Sequence, residues 1–179
     1  MEQPKPNPNG VAIKWTLINV LASIVLTYVF QFVNIGITSP LRYIAWLPFL
    51  AFLLLAQKEY RDQLGGYMKF GEGFSIGWRY AVFCGLIMAV FIYLYYAILS
   101  PEMYTKMLES QRDAMAAKGL SSDQVDQGMA FMNKMGMFII VLGTVFGTAI
   151  FGIIFGLIGA AIFKKERSVF DTEPAEPGV

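Results

Sequence analysis

The chain has 179 residues, of which 56% are hydrophobic and only 15% charged, and its net charge is +1. This balance provides no basic surface for nucleic acid, so we expect no nucleic-acid partner. The sequence has no histidine and a single cysteine, Cys84, so it lacks the commonest general base, the commonest metal ligand and any disulfide within the chain. We therefore expect no enzyme activity, no catalytic residue, no cofactor and no metal site.

Four uncharged stretches alternate with charged connections. They lie between Lys14 and Arg42, Arg42 and Lys58, Arg79 and Glu102, and Lys134 and Lys164. Three of them exceed the ~20 residues that cross a bilayer, and a soluble helix would need charges on its wet face. The predicted fold class is all-α: an integral membrane four-helix bundle with an extramembrane helical hairpin between spans three and four.

The first two predicted spans differ in length and in how well they match a membrane-crossing helix. Residues 1–11 are rich in Pro and Asn and are predicted as a disordered tail, followed by a first span at 12–37 that ends before Ser39-Pro40. The second span, at about 41–57, is short and contains Pro48. It is interpreted as spanning rather than re-entrant, because Trp46 and Gln57-Lys58 resemble interface anchors at its two ends.

A polar stripe runs along the first span. It consists of Thr16, Asn19, Ser23, Thr27, Gln31 and Asn34, which recur at the helical period. Polar side chains in hydrocarbon need partners. The preferred interpretation is a packing face that bonds to neighbouring helices; the alternatives are the lining of a hydrated path for a small polar solute, or an oligomer interface.

The connector between the second and third spans is predicted to be an ordered element on the cytoplasmic face. Gly65-Gly66 allows the chain to reverse at positive φ, and Phe70 and Phe74 dock the start of the third span (71–99) into the interface. Glu72 and Arg79 fall on one face there, either as an ion pair or as a solvated glutamate and a snorkelling arginine. The charged part of the connector includes Tyr60-Arg61-Asp62.

The outer hairpin is predicted at 101–134. Ser100-Pro101-Glu102 is a helix start, Lys118-Gly119 a helix stop, and Ser121–Gln124 a capping box that opens a second helix. That helix can merge into the fourth span at 135–163. The membrane domain thus covers 12–167, and the acidic, Pro-rich tail at 168–179 is predicted to be disordered.

The fourth span is rich in glycine. Gly143/Gly147 and Gly152/Gly156 each fit the spacing that lets two helix backbones approach closely, and the two pairs lie on roughly opposite sides. We interpret all four as packing glycines within the bundle, with a dimer interface as the alternative.

Several motifs resemble those of a known family. They are Tyr60-Arg61-Asp62, the run from Gly65 to Phe74 with Gly77, Ser100-Pro101-Glu102 and Gly119-Leu120-Ser121. With these motifs, residues 14–165 resemble the bacterial four-span membrane proteins known as DUF4199, a family of unknown function. The resemblance implies the four-helix order and the bacterial inner membrane, and it implies no activity and no functional residues.

Charge distribution predicts the orientation. Nine of the 14 Lys and Arg residues lie in the two ends and the connector, which places both termini in the cytoplasm. The preferred function is a non-enzymatic inner-membrane protein that contacts lipid, a second copy of itself or another membrane protein. The alternative is a small channel or facilitator that uses the polar stripe.

Overall fold

The computed structural model describes residues 6–36 and 39–166. In this part of the chain, five α-helices follow one another: α1 (Pro8–Phe32), α2 (Trp46–Gln63), α3 (Phe70–Leu94), α4 (Pro101–Ala117) and α5 (Ser122–Phe163). A 3₁₀ helix, Pro40–Ala45, precedes α2, and a π-helical turn, Tyr95–Leu99, ends α3. The predicted all-helical class is confirmed. The predicted tail at 168–179, the first five residues and the predicted end of the first span at Ile37 lie outside the described residues.

Three helical segments are long and apolar enough to cross a membrane: Pro8–Phe32, Phe70–Leu99 and Ser122–Phe163. Each exposes large apolar side chains; Val25, Val90 and Phe146 are 60%, 61% and 62% exposed. Extended apolar surface of this kind suits hydrocarbon rather than water. These are the features of a membrane protein.

The second predicted span has a different form. Its first residues form the 3₁₀ helix, and α2 begins only at Trp46, with Pro48 in the first turn where no intrahelical N–H is needed. Helix α2 then continues past the predicted end at residue 57 to Gln63, and its last turns carry Lys58, Glu59, Arg61 and Asp62. The uncharged part of α2, residues 46–57, is only ~18 Å long.

Helix α1 begins at Pro8, four residues before the predicted start of the first span. The Asn7 side chain caps the helix by accepting a hydrogen bond from the backbone N–H of Asn9 at 3.0 Å, and Pro8 fits the first helical position. The high content of Asn and Pro suggested a disordered tail, but Asn7 and Pro8 start a helix.

The start of α1, the end of α2, the start of α3 and the end of α5 meet at one end of the bundle, the connector end. Lys14 Nζ and Trp15 Nε1 both bond to Glu59 Oε2, at 2.8 and 2.7 Å. Met68 and Lys165 exchange backbone hydrogen bonds of 2.9 and 3.0 Å in an isolated antiparallel bridge. Helices α1 and α3 therefore run in the same direction, while α2 and α5 run in the opposite one.

Helices α3 and α5 pack antiparallel through matched rows of small residues. The α3 row is Gly73, Gly77, Ala81 and Gly85, and it faces Ala160, Gly156, Gly152 and Thr148 of α5 in that order. A Cβ built on Gly77 would lie 2.9 Å from the Cα of Gly156. The backbones thus approach as closely as in other small-residue helix pairs of membranes. The α3 row has the same four-residue spacing as the α5 glycines and could have been predicted from it.

The hairpin consists of α4 and the first turns of α5, and it lies where α3 ends, at what we call the hairpin end of the bundle. Helix α4 ends at Ala117, and Gly119 takes φ +79° in the turn. Ser121 and Gln124 then exchange side-chain and backbone hydrogen bonds of 3.0 and 3.4 Å. Helix α5 continues unbroken for 42 residues from the hairpin through the apolar span, a length of ~63 Å.

Candidate binding cavity

A cavity of about 400 Å³ lies between α1 and α5 on the side toward the hairpin end. No Cα of α1 lies within 8 Å of a Cα of α5, although both helices contact α2 and α3. Helix α2 fills the gap only as far as its first residues, Trp46 and Phe49, which line the cavity. The cavity therefore exists because α2 is shorter than its neighbours.

The wall toward the connector end is tightly packed. Tyr80, fully buried, donates its hydroxyl to the carbonyl of Phe49 at 3.0 Å, and the two rings lie 5.3 Å apart. Trp46 packs against Phe151 of α5 with 4.4 Å between ring centroids. These aromatic contacts close the connector side of the cavity.

The polar stripe of α1 is divided by this wall. Thr16, which is fully buried, lies behind it and donates to the carbonyl of Tyr80 at 3.3 Å, while the Cys84 thiol lies 3.6 Å from the Thr16 hydroxyl. Asn19, Ser23 and Thr27 line the cavity. The stripe is therefore part packing face and part cavity wall.

The last two stripe residues lie near the hairpin. Gln31 accepts a hydrogen bond from the Tyr95 hydroxyl at 3.0 Å, which ties α1 to α3. Asn34 lies beyond the end of α1 at φ +55°, a conformation that Asn tolerates better than most residues. Both line a separate recess with Glu102 and Lys106 of α4, so the stripe does not form one continuous surface.

Asn19 is the most unusual side chain of the cavity. It is 2% exposed, its Nδ2 lies 3.5 Å from Cys84 Sγ, and its buried Oδ1 has no hydrogen-bond partner among the described residues. Opposite it, Thr144 and Thr148 of α5 donate their hydroxyls to their own helix, at 2.9 Å to the Ile140 carbonyl and 2.8 Å to the Thr144 carbonyl. The cavity therefore offers hydrogen-bond acceptors in excess of donors.

Gly143 and Gly147 do not take the packing role predicted for them. A Cβ built on either residue would meet nothing within 4 Å, and both line the cavity. The physical reason is the gap between α1 and α5, because within residues 6–36 and 39–166 no helix backbone packs against this face of α5. Gly152 and Gly156 lie on the opposite face, at the contact with α3.

Gln57 is not an interface anchor, as the sequence suggested, but a fully buried residue. Its Nε2 donates to the carbonyls of Gly73 in α3 and Gly156 in α5, both at 2.9 Å. The niche exists because glycines surround it, and a Cβ on Gly159 would overlap Oε1. A polar residue at the edge of an apolar segment is typical of an interface anchor. The buried role of Gln57 could not be predicted, because its partners are distant in the sequence.

The connector residues make several contacts with other elements. Gly65 and Gly66 take φ +77° and +86°. Tyr60 is buried at 3% exposure, and Arg61 pairs with Asp62 at 3.1 Å and lies over the Phe163 ring at 5.3 Å. The bridge from Met68 to the segment after α5 was not predicted, because the sequence contains no pattern that pairs these segments.

The start of α3 holds the remaining predicted connector residues. Glu72 Oε2 accepts from the backbone N–H of Lys69 at 3.0 Å and so caps the helix. Arg79 donates to Ser75 Oγ at 3.2 Å and to Asn9 Oδ1, which holds α1 against α3. Phe70 is 39% exposed and Phe74 is half-buried. Glu72 and Arg79 line one recess.

Charge is distributed away from the cavity. No Asp, Glu, Lys or Arg is among its described lining residues. In the ranges 6–36 and 39–166, no group of three His, Cys, Asp or Glu residues is placed to hold a metal ion.

Comparison with protein families identifies the relatives of the chain. The model of a family described as "Protein of unknown function (DUF4199)" matches residues 14–165, which is most of the sequence. The chain belongs to this family. No curated protein and no solved structure matches it.

Proposed function

We propose that this DUF4199 protein is a non-enzymatic membrane protein that crosses the bilayer four times and acts through contacts with lipid or with other proteins. The observation that carries the proposal is the arrangement of its apolar residues. Large side chains face outward on α1, α3 and α5, while small residues hold the helices together inside. An outward apolar surface of this extent is suited to lipid, to a second copy or to another membrane protein.

The parallel direction of α1 and α3 supports four crossings. Both helices start at the connector end, so the chain between them has to return across the layer. The return consists of the 3₁₀ helix and the uncharged part of α2. At ~2.0 and ~1.5 Å per residue, these segments together extend over about 30 Å, the thickness of a hydrocarbon core.

The proposed setting is the bacterial inner membrane, with both termini and the connector in the cytoplasm. The support is the excess of Lys and Arg at the connector end, as the positive-inside rule requires. The hairpin of α4 and the first turns of α5 would then lie outside the cell.

Single cysteines in a Cys84→Ala background test this topology. Gly36→Cys and Gln127→Cys, both exposed, should react with an impermeant thiol reagent in intact cells, whereas Gly71→Cys should react only after lysis. Gly36 and Gly71 have open space around them, so the new side chains meet no neighbour. Equal labelling of Gly36→Cys and Gly71→Cys would place both on one side and overturn the four-crossing proposal.

The conduit alternative has less support. Thr16, Tyr80 and Phe49 pack together across the line that a solute would have to follow along the stripe. Liposomes containing the purified protein should therefore be no more permeable to glycerol or urea than liposomes without it. A rate that rises with protein content would favour the facilitator instead.

A further inference from the structure

We infer that the cavity between α1 and α5 binds an uncharged lipid alcohol, a membrane-dissolved molecule with a hydroxyl group on an apolar body. The inference deepens the proposed contact with lipid and rests on it. The cavity adjoins the small-residue contact of α3 and α5 at Thr148, and the rest of that contact holds the bundle together.

The ligand enters from the side. No Cα of α1 lies within 8 Å of a Cα of α5, so we place the entrance of the cavity between these two helices. Both carry exposed apolar side chains, among them Val25 and Phe146. The packed aromatic wall of Phe49 and Tyr80 closes the route from the connector end. A molecule already dissolved in the bilayer therefore has the shortest path to this site.

Asn19 selects for a hydrogen-bond donor. An acceptor left unpaired in an apolar interior costs about 1–3 kcal/mol, and Asn19 Oδ1 has no partner among the described residues. The terminal torsion of Asn is broad, so rotation of the amide allows Oδ1 to accept a hydrogen bond from a hydroxyl in the cavity. Ser23, one turn further along α1, can donate to the oxygen of the same hydroxyl.

The remaining lining defines the rest of the ligand. The absence of charged residues from the described lining leaves an ionic headgroup without compensation, which is costly at membrane depth. Met88, Ile92 and Ile140 provide an apolar surface, and Gly143 and Gly147 leave the volume free of side chains. A neutral hydroxyl on a flexible hydrocarbon body fits this combination.

The test uses two photoreactive probes in lipid nanodiscs: a diazirine-bearing dodecanol and its methyl ether, which has the same body without the donor. The wild-type protein should be labelled on peptides of α1 and α5 that line the cavity. The ether should need a roughly tenfold higher concentration, because one buried hydrogen bond contributes about that factor. Equal apparent affinities would overturn the donor requirement, and labelling by neither probe would mean that the cavity holds water only.

Variants separate binding from folding. Asn19→Leu keeps the branched arrangement of four side-chain heavy atoms and removes the acceptor, so it should abolish the preference for the alcohol over the ether. Gly147→Leu places a side chain in the cavity at a position where the space around the Cβ is open, and it should reduce labelling by both probes at least fivefold. Gly71→Leu is the matched control: it is a helical glycine with equally open space outside the cavity, and it should label like wild type.

The labelling experiment tests the binding site independently of the topology experiment. Unchanged labelling of Gly147→Leu would place the probe elsewhere and overturn the site even if four crossings are found. A different topology with intact alcohol selectivity would overturn the proposed orientation and leave the site standing.

Discussion

At the scale of single residues, Gln57 of α2 links three helices through one fully buried side chain. Its amide nitrogen bonds to two helices at once, while its Oε1 is buried without a partner among the described residues. Two hydrogen bonds contribute about 0.5–1.5 kcal/mol each, and one unpaired acceptor costs about 1–3 kcal/mol. The two effects nearly cancel, so Gln57 specifies the register of α2 more than it adds stability.

This balance predicts that two substitutions of Gln57 change the free energy of unfolding to very different extents. Gln57→Met removes both the bonds and the unpaired oxygen and should change the free energy of unfolding by less than about 1 kcal/mol. Gln57→Glu turns an acceptor-only group toward two carbonyls and should cost about 3 kcal/mol or more. Unfolding in mixed micelles measures both, with Gln111→Glu on the exposed surface of α4 as the control. A Gln57→Glu variant as stable as its control would show that the niche is not closed.

At the scale of elements, the two faces of α5 have opposite tolerances. Gly152 lies against Ala81, where a methyl group would overlap, whereas Gly147 faces open space. Both lie inside the same helix, so Ala brings the same gain in helix propensity to each. Packing alone therefore distinguishes them.

We expect Gly147→Ala to stabilise the protein by about 0.5–1 kcal/mol. Gly152→Ala should destabilise it by about 1–3 kcal/mol, because α3 and α5 have to move apart. The shift in the thermal midpoint in detergent gives the sign for each variant. Shifts of the same sign would contradict the assignment of the two faces.

The glycines of the connector are also expected to differ in their tolerance of Ala, in this case because of backbone conformation. Gly65→Ala and Gly66→Ala place a Cβ at positive φ and should each cost about 1–2 kcal/mol. Gly71→Ala, in the first turn of α3, has open space and no such strain, so its effect should be neutral or stabilising. Folded yield after membrane extraction and the thermal midpoint both report on this. Equal effects at all three positions would mean that the turn adapts.

The elements could be predicted from the sequence because their signals are local. Charge-free stretches indicated α1, α3 and α5, and Pro, Gly and Ser indicated where α4 begins and ends. The cavity could not be predicted, since it depends on α2 starting at Trp46 and on α1 and α5 remaining apart. Nor could the roles of Asn19 and Gln57, because each depends on helices that follow much later in the chain.

At the scale of the whole molecule, α5 joins two environments in one helix. Its first turns pack with α4 in the hairpin, where Arg112 and Asp126 pair at 3.1 Å while both side chains are largely exposed. Such a pair contributes little in water. Its last turns lie against α2 and α3, where Gly156, Gly159 and Ala160 are buried.

Hydrogen exchange should divide α5 accordingly. Amides of residues 122–133 should exchange through local opening, whereas those of 148–160 should stay protected until the bundle unfolds. Mass spectrometry of nanodisc samples measures both segments within one protein. Uniform protection along α5 would mean that the hairpin is covered by lipid or by a partner.

The facing rows of α3 and α5 also constrain how the protein is made. During synthesis α3 enters the membrane before α5 has been made. Until α5 follows, the backbone at Gly73, Gly77 and Gly85 lacks the residues that cover it in the folded protein. At that stage Gln57 also lacks one of its two hydrogen bonds, because its acceptor, the Gly156 carbonyl, has not yet been synthesised. A chain interrupted before residue 148 would leave this row of α3 without its facing residues in α5. The close contact between α3 and α5 therefore forms only once α5 has also entered the membrane.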